Sequence, residues 1–141
     1  MCEPKLGHNR NTGGIETLRR YSVEKWADWD IAICWDMGDY LLATGSLDET
    51  LQELRRLKSI IEVVHVHNVQ VNPGRYFWVP IHPSHEEDGR FFHIAPILSE
   101  VKNMDAVLVW EHTPHFTPSK QFAVEGFDWA MGILGLRSGL C

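Results

Sequence analysis

Apolar residues follow two alternating rhythms along the chain. Ile31–Trp35 is a short unbroken apolar run that predicts a buried strand, and Asp36-Met37-Gly38-Asp39 behind it predicts a turn in which the glycine permits a sharp exit. Ahead of that strand Gly13-Gly14 break the chain, and Ile15, Leu18, Val23 and Trp26 recur at helical intervals, predicting one helix down to Ala27. Ser46-Leu47-Asp48-Glu49 can exchange side-chain and backbone hydrogen bonds as a helix start, and Leu47, Leu51, Leu54 and Leu57 then line one helical face. Ile60–His67 is rich in β-branched residues and predicts a second buried strand, stopped a few residues later by Asn72-Pro73-Gly74 and followed by a long loop. Phe91, Ile94, Ile97, Leu98 and Val101 predict a helix starting near His93, with Pro96 confined to its first turn. Ala106–Trp110 is a third apolar strand, closed by Glu111. Ser119 opens a last helix carrying Phe122, Phe127, Ala130, Ile133 and Leu134, and Gly135 ends it.

Near-uniform apolar strands that alternate with amphipathic helices predict an α/β fold with a parallel sheet covered by helices. Composition narrows the setting. With 141 residues, 44% of them hydrophobic and 11% aromatic, the chain has one domain's worth of core, which excludes disorder as a default. No apolar run approaches the roughly 18 residues of a membrane span, and no charged-then-apolar leader opens the chain, so a cytoplasmic protein is expected. Cys2, Cys34 and Cys141 are odd in number and far apart, as free thiols in a reducing compartment would be. A net charge of −6 with no larger Lys/Arg cluster than a pair argues against general affinity for nucleic acid phosphates.

In parallel α/β architectures ligands sit beyond the carboxyl ends of the strands, so the residues closing each apolar run carry the chemistry. They are Asp36, His67 and Glu111, and Glu3 joins them if Met1-Cys2 is the end of a strand. Their spacings each approach the length of one strand–helix unit, which would bring three carboxylates and an imidazole to one point. Three carboxylates left together in a low-dielectric mouth repel one another, whereas a divalent cation binds their ionised forms and relieves that repulsion. Taken singly, each residue has an ordinary structural reading. His67 can be a core imidazole satisfied by a carbonyl, Asp36 a turn brace and Glu111 half of an ion pair; His65, one layer deeper on the same strand face, reads as packing with a hydrogen bond. His82 and His85 have metal-like spacing in a proline-containing loop, a weak signal. The tryptophans read as filling between helices and strands, with Trp78 reaching a loop-built pocket, and His8, His112 and His115 as surface histidines.

The segments Ile31–Asp39, the helix from Leu47, Val63–His67, Asp88–Leu98 and Val107–Glu111 together resemble successive parts of the second half of the xylose-isomerase-like TIM-barrel superfamily. The resemblance implies a partial (β/α)₈ barrel over residues 1–141, with Glu3, Asp36, His67 and Glu111 as metal ligands at the ends of barrel strands five to eight. It also implies Glu3 and Glu111 as the acid/base pair of a sugar epimerase. Two family patterns are altered: Asp39 stands where a histidine is usual, and Gln70 replaces an acidic residue after His67. A third difference, Pro80-Ile81-His82 in the next loop, speaks against a three-zinc cluster.

The expected function is thus divalent-metal-dependent isomerisation or epimerisation of a small sugar or polyol, by proton transfer through a metal-stabilised enediolate. Oxygen-rich ligation favours Mg²⁺, Mn²⁺ or Co²⁺, and one histidine keeps Zn²⁺ admissible. Asp39, Arg75 and His82 are the candidate substrate contacts. The alternatives are a metal-dependent phosphodiesterase acting on abasic DNA and a catalytically inactive barrel fragment. A closed barrel takes about 250 residues, so the chain reads as truncated at its N-terminus, with its open strand edges covered by a missing N-terminal half-barrel or by a second copy of itself.

Overall fold

The structure is a computed structural model that describes residues 1–4, 14–20, 22–111 and 116–136. It is α/β, with a three-stranded parallel sheet whose strands alternate with helices; no barrel is closed among the described residues. Two compact units divide the chain: Met1–His65 with Asp105–Val109, and Val66–Met104 with Trp110–Cys141. No helix among the described residues is long and apolar enough to cross a membrane.

The first unit opens with helices α1 (Gly14–Arg19) and α2 (Val23–Asp28). The single helix expected over this stretch is therefore broken. Ser22 explains the break: its hydroxyl accepts a hydrogen bond from the Lys25 amide at 3.3 Å and so starts a new helix, while the apolar period runs through the interruption unchanged. Strand β1 (Ile33–Asp36) is buried along its whole length. It passes directly into helix α3 (Met37–Thr44), where a turn was expected, because the Asp36 carboxylate accepts from the Asp39 amide at 2.8 Å and caps the helix at once. Gly38 is simply helical. Helix α4 (Leu47–Leu57) begins as read, with Ser46 as its cap, and buries Leu51, Leu54 and Leu57.

After a short 3₁₀ turn over Lys58–Ile60, β2 (Ile61–Val66) pairs in parallel with β1, from Ile33 opposite Ile61 to Asp36 opposite His65. On the other side of β1, Cys2 makes an isolated parallel bridge to Ile33: its amide donates to the Ala32 carbonyl at 2.7 Å and its carbonyl accepts from the Cys34 amide at 2.9 Å. Among the described residues Cys2 thus pairs with β1 in parallel by this bridge alone.

In the second unit the chain leaves β2 straight into an antiparallel hairpin, β3 (Asn68–Asn72) and β4 (Arg75–Val79), where a loop was expected. Pro73 and Gly74 connect the two strands; Gly74 has φ +74°, the backbone that the second central position of a type II turn requires, with proline favoured before it. A 3₁₀ turn over Pro83–Glu87 follows, then α5 (Ala95–Val101) with Pro96 in its first turn. Strand β5 (Val107–Trp110), whose first three residues belong to the first unit, lies beside β2 in that unit's parallel sheet, giving the order β1-β2-β5. Helix α6 (Lys120–Leu134) is capped by the Ser119 hydroxyl and closed by Gly135 at φ +69°. It packs on α5, and Ile81, Ile97, Leu98, Ala130 and Leu134 are among the buried residues of this unit.

Candidate functional site

Of the four ligands expected from the sequence, the structure places Glu3 and Asp36 in the first unit and His67 and Glu111 in the second. His67 follows the last residue of β2, and Glu111 follows the last residue of β5. The backbone sets the pair in register, because the Glu111 amide donates to the Val66 carbonyl at 3.2 Å. His67 Nε2 then lies 3.3 Å from Glu111 Oε2. The imidazole is buried and packs in a T-shaped arrangement with the Trp78 ring, with centroids 4.9 Å apart and planes at 70°. The carboxylate side chain is 41% exposed. Asn68 holds the turn into the hairpin: its side-chain amide donates to the Phe92 carbonyl at 2.9 Å and its side-chain oxygen accepts from the Val69 amide at 2.7 Å. Glu111 also lines a cavity of about 240 Å³ whose other walls include Val66, Ile81, Trp110 and Phe127. A carboxylate opening onto an apolar cavity, backed by an imidazole, can relay a proton or hold a cation.

In the first unit Asp36 is 5% exposed and divides its two oxygens. Oδ1 caps α3, and Oδ2 lies 3.6 Å from His65 Nδ1. The other ring nitrogen of His65 stands 3.3 Å from Cys34 Sγ. One ligand atom each from Glu3, Cys34 and His65 lie within 4.8 Å of one another. Neither Cys34 nor His65 was expected to take part in a site. The signal was there in the period-two alternation of strands, which puts Cys34 on the same face as Asp36, but it takes the β1–β2 register to see that His65 comes alongside.

The candidate substrate contacts fall in both units, Asp39 in the first and Arg75 and His82 in the second. Asp39 is buried in the first turn of α3, where its amide is committed to Asp36. Arg75 is exposed beside the hairpin turn, its guanidinium 5.4 Å from the centre of the Phe77 ring. His82 contacts Ser84 in its own turn and Phe122 and Glu125 of α6. Its Nδ1 accepts from the Ser84 amide at 3.2 Å, which leaves Nε2 to donate to Glu125 at 3.2 Å, and its ring stacks on Phe122 at 3.9 Å. Hydrogen bonds from Gln121 and then His82 hold the Glu125 carboxyl below its ordinary range. His85 stacks on Phe91 at 3.9 Å, and burial, assisted by His82, pushes its pKa down to about 4. Among the tryptophans Trp35 is fully buried, whereas Trp29 is 51% exposed and does not fill an interface; the Lys25 ammonium sits 5.5 Å from its ring. His8, His112, His115 and Cys141 lie outside the described residues. Compared with family models, curated proteins and solved structures, the chain finds no significant match.

Proposed function

We propose that the chain carries part of the wall of a (β/α)₈ barrel of the xylose-isomerase-like kind and acts on a small sugar or polyol by divalent-metal-dependent isomerisation or epimerisation. The observation that supports this reading is the 3.3 Å approach of His67 Nε2 to Glu111 Oε2, two residues that each close a strand of the parallel sheet.

The donor chemistry fits a cation. An imidazole nitrogen and a carboxylate oxygen suit Mn²⁺, Co²⁺ or Zn²⁺, and Mg²⁺ is commonly held by one or two side chains, with water and substrate completing its shell. When bound, such an ion supplies positive charge that polarises a substrate carbonyl and acidifies the neighbouring C–H. The protein's own part is division of labour. Glu111, the more exposed partner, faces the cavity and takes and returns the proton. His67, buried against Trp78, would hold the cation beside that carboxylate, and the apolar cavity wall limits the water that would compete for the proton.

Manganese titration of the full 141-residue chain, followed by calorimetry, tests the cation. Glu111→Gln and His67→Asn are each expected to weaken binding at least tenfold, and unchanged affinity in both removes the site. Solvent-deuterium incorporation into a panel of aldoses and ketoses tests the reaction. Tight metal binding without exchange on any sugar overturns the isomerase reading alone.

A further inference from the structure

We propose that Glu3, Cys34 and His65 form a cation site of softer character, taking zinc or another thiolate-seeking divalent metal, with Asp36 positioning His65 from behind. This does not rest on the reading of His67 and Glu111. Three neighbouring backbone tracks each contribute one ligand. The Cys2 bridge carries Glu3 along one edge of β1, Cys34 is on β1 itself, and His65 is on β2, hydrogen-bonded to the opposite edge of β1.

The distances suit a tetrahedral ion. Zinc–sulfur and zinc–nitrogen bonds of about 2.3 and 2.0 Å at the tetrahedral angle place those two ligands roughly 3.5 Å apart. Cys34 Sγ and His65 Nε2 already stand 3.3 Å apart, and a ligand atom of Glu3 lies within 4.8 Å of both, on a half-exposed residue whose side chain can swing inward. Cys34 is buried at 5%, but the His65 side chain is 22% exposed, so the ion has a way in from the side of Glu3 and His65.

Asp36 supplies what a ligating histidine ordinarily has, a carboxylate facing its other nitrogen. Oδ2 lies 3.6 Å from Nδ1, and Oδ1 is anchored by the Asp39 amide, so that carboxylate cannot turn away without uncapping α3. A carboxylate on that side favours the proton on Nδ1 and leaves the Nε2 lone pair for the metal. Sulfur sets the selectivity: a thiolate prefers zinc or cobalt to magnesium or calcium. Binding converts the Cys34 thiol to a thiolate and releases its proton to solvent, so affinity falls as pH is lowered. Three protein ligands leave a fourth position open, the arrangement that zinc uses when it binds a water or an exchangeable ligand. The plain alternative is a thiol–imidazole hydrogen bond with no affinity for metal.

Cobalt distinguishes the two. In the full chain carrying Cys2→Ser and Cys141→Ser, Cys34 is the remaining thiol, and Co²⁺ is expected to produce a sulfur-to-cobalt charge-transfer band in the near ultraviolet that zinc abolishes by competition. Cys34→Ser removes the band and lowers zinc affinity at least tenfold. Glu3→Gln keeps the band and weakens binding. Asp36→Asn, which preserves a helix-capping side chain, keeps the band and weakens zinc by roughly 10- to 100-fold. Glu111→Gln leaves the band, and the zinc concentration that abolishes it, unchanged, which separates this site from the one proposed above. A folded protein, verified by circular dichroism, that binds cobalt without the band or binds no cobalt at all overturns the proposal. So does zinc affinity that is equal in the Cys34→Ser or Glu3→Gln variants and their reference.

Discussion

Gly126 offers a test in which two physical effects have opposite signs. It lies in the middle of α6, where alanine is intrinsically better than glycine by about 1 kcal/mol, so propensity alone says that Gly126→Ala stabilises the fold. The structure says the reverse. A Cβ at this position would overlap the Ile81 carbonyl oxygen outright, and it would also lie 3.2 Å from that carbonyl's carbon and 3.6 Å from His82 Cα. These are main-chain atoms of the segment that lines the Glu111 cavity and starts the 3₁₀ turn, so no side-chain rotation can relieve the overlap. Overpacking costs about 1–3 kcal/mol, and a backbone obstacle belongs at the upper end. The propensity gain offsets about a third of that, leaving a net destabilisation of about 2 kcal/mol. Gly132, six residues further along the same helix, has open space at its Cβ position, so Gly132→Ala feels the propensity term alone and should stabilise by up to about 1 kcal/mol. Urea denaturation of the two variants, monitored by tryptophan fluorescence and by helical circular dichroism, reads both. If Gly126→Ala matches or exceeds the wild type, or if both substitutions shift the midpoint in the same direction, the close approach of α6 to Ile81 is not a feature of the folded protein.

Two further predictions follow from buried polar groups. His85 is held neutral by burial, with a pKa near 4 against 6.5 in the unfolded chain, so between those values the unfolded state binds more protons. Stability is therefore complete above about pH 6.5 and declines as pH falls toward 4, by about 1–2 kcal/mol once partial solvent screening is allowed for. His85→Phe should flatten that part of the urea-midpoint profile, and an NMR titration of His85 above pH 6 would refute the assignment. Glu53 is 5% exposed between Arg19 Nε at 2.8 Å and Arg56 Nη2 at 2.7 Å. Glu53→Ala leaves two half-exposed cations facing each other and should cost about 1–3 kcal/mol in the same denaturation assay; a loss below about 0.5 kcal/mol would mean that the pairs behave as exposed ones.

What could be read from the sequence was what local spacing encodes. The α4 boundaries followed from Ser46, Glu49 and four leucines, and those of α6 from Ser119 and Gly135, because a cap and an apolar stripe act within a few residues. The hairpin was missed for a non-local reason. In Arg75–Val79 three consecutive aromatic residues hide the two-residue alternation, and Pro73-Gly74 serves equally to end one strand or to join two. The break between α1 and α2 was hidden because Val23 and Trp26 continue the apolar period across it. His67 and Glu111 could be singled out because they stand where apolar runs stop, and such positions are visible one strand at a time. Cys34 and His65 lie inside their runs. Only the pairing of one strand with the next reveals that they meet.

Asp36 shows why the fold and the chemistry of the first unit cannot be varied independently. A strand that ended in any good helix cap would launch α3; serine or threonine would serve as well as aspartate for that purpose. Neither carries a second oxygen. With aspartate, capping by Oδ1 fixes the carboxylate plane and so presents Oδ2 toward His65. Capping α3 therefore also sets where Oδ2 stands relative to the imidazole. Asp36→Ser and Asp36→Asn separate the two contributions: both retain a capping oxygen, but only asparagine keeps a second polar atom toward His65. If the carboxylate geometry governs the site, both variants melt near the wild-type temperature while zinc affinity falls in both, and further in the asparagine variant, whose remaining amide nitrogen donates toward Nδ1 and so favours the proton on Nε2. Equal loss of stability and of metal affinity in the two would mean instead that Asp36 acts only through the helix.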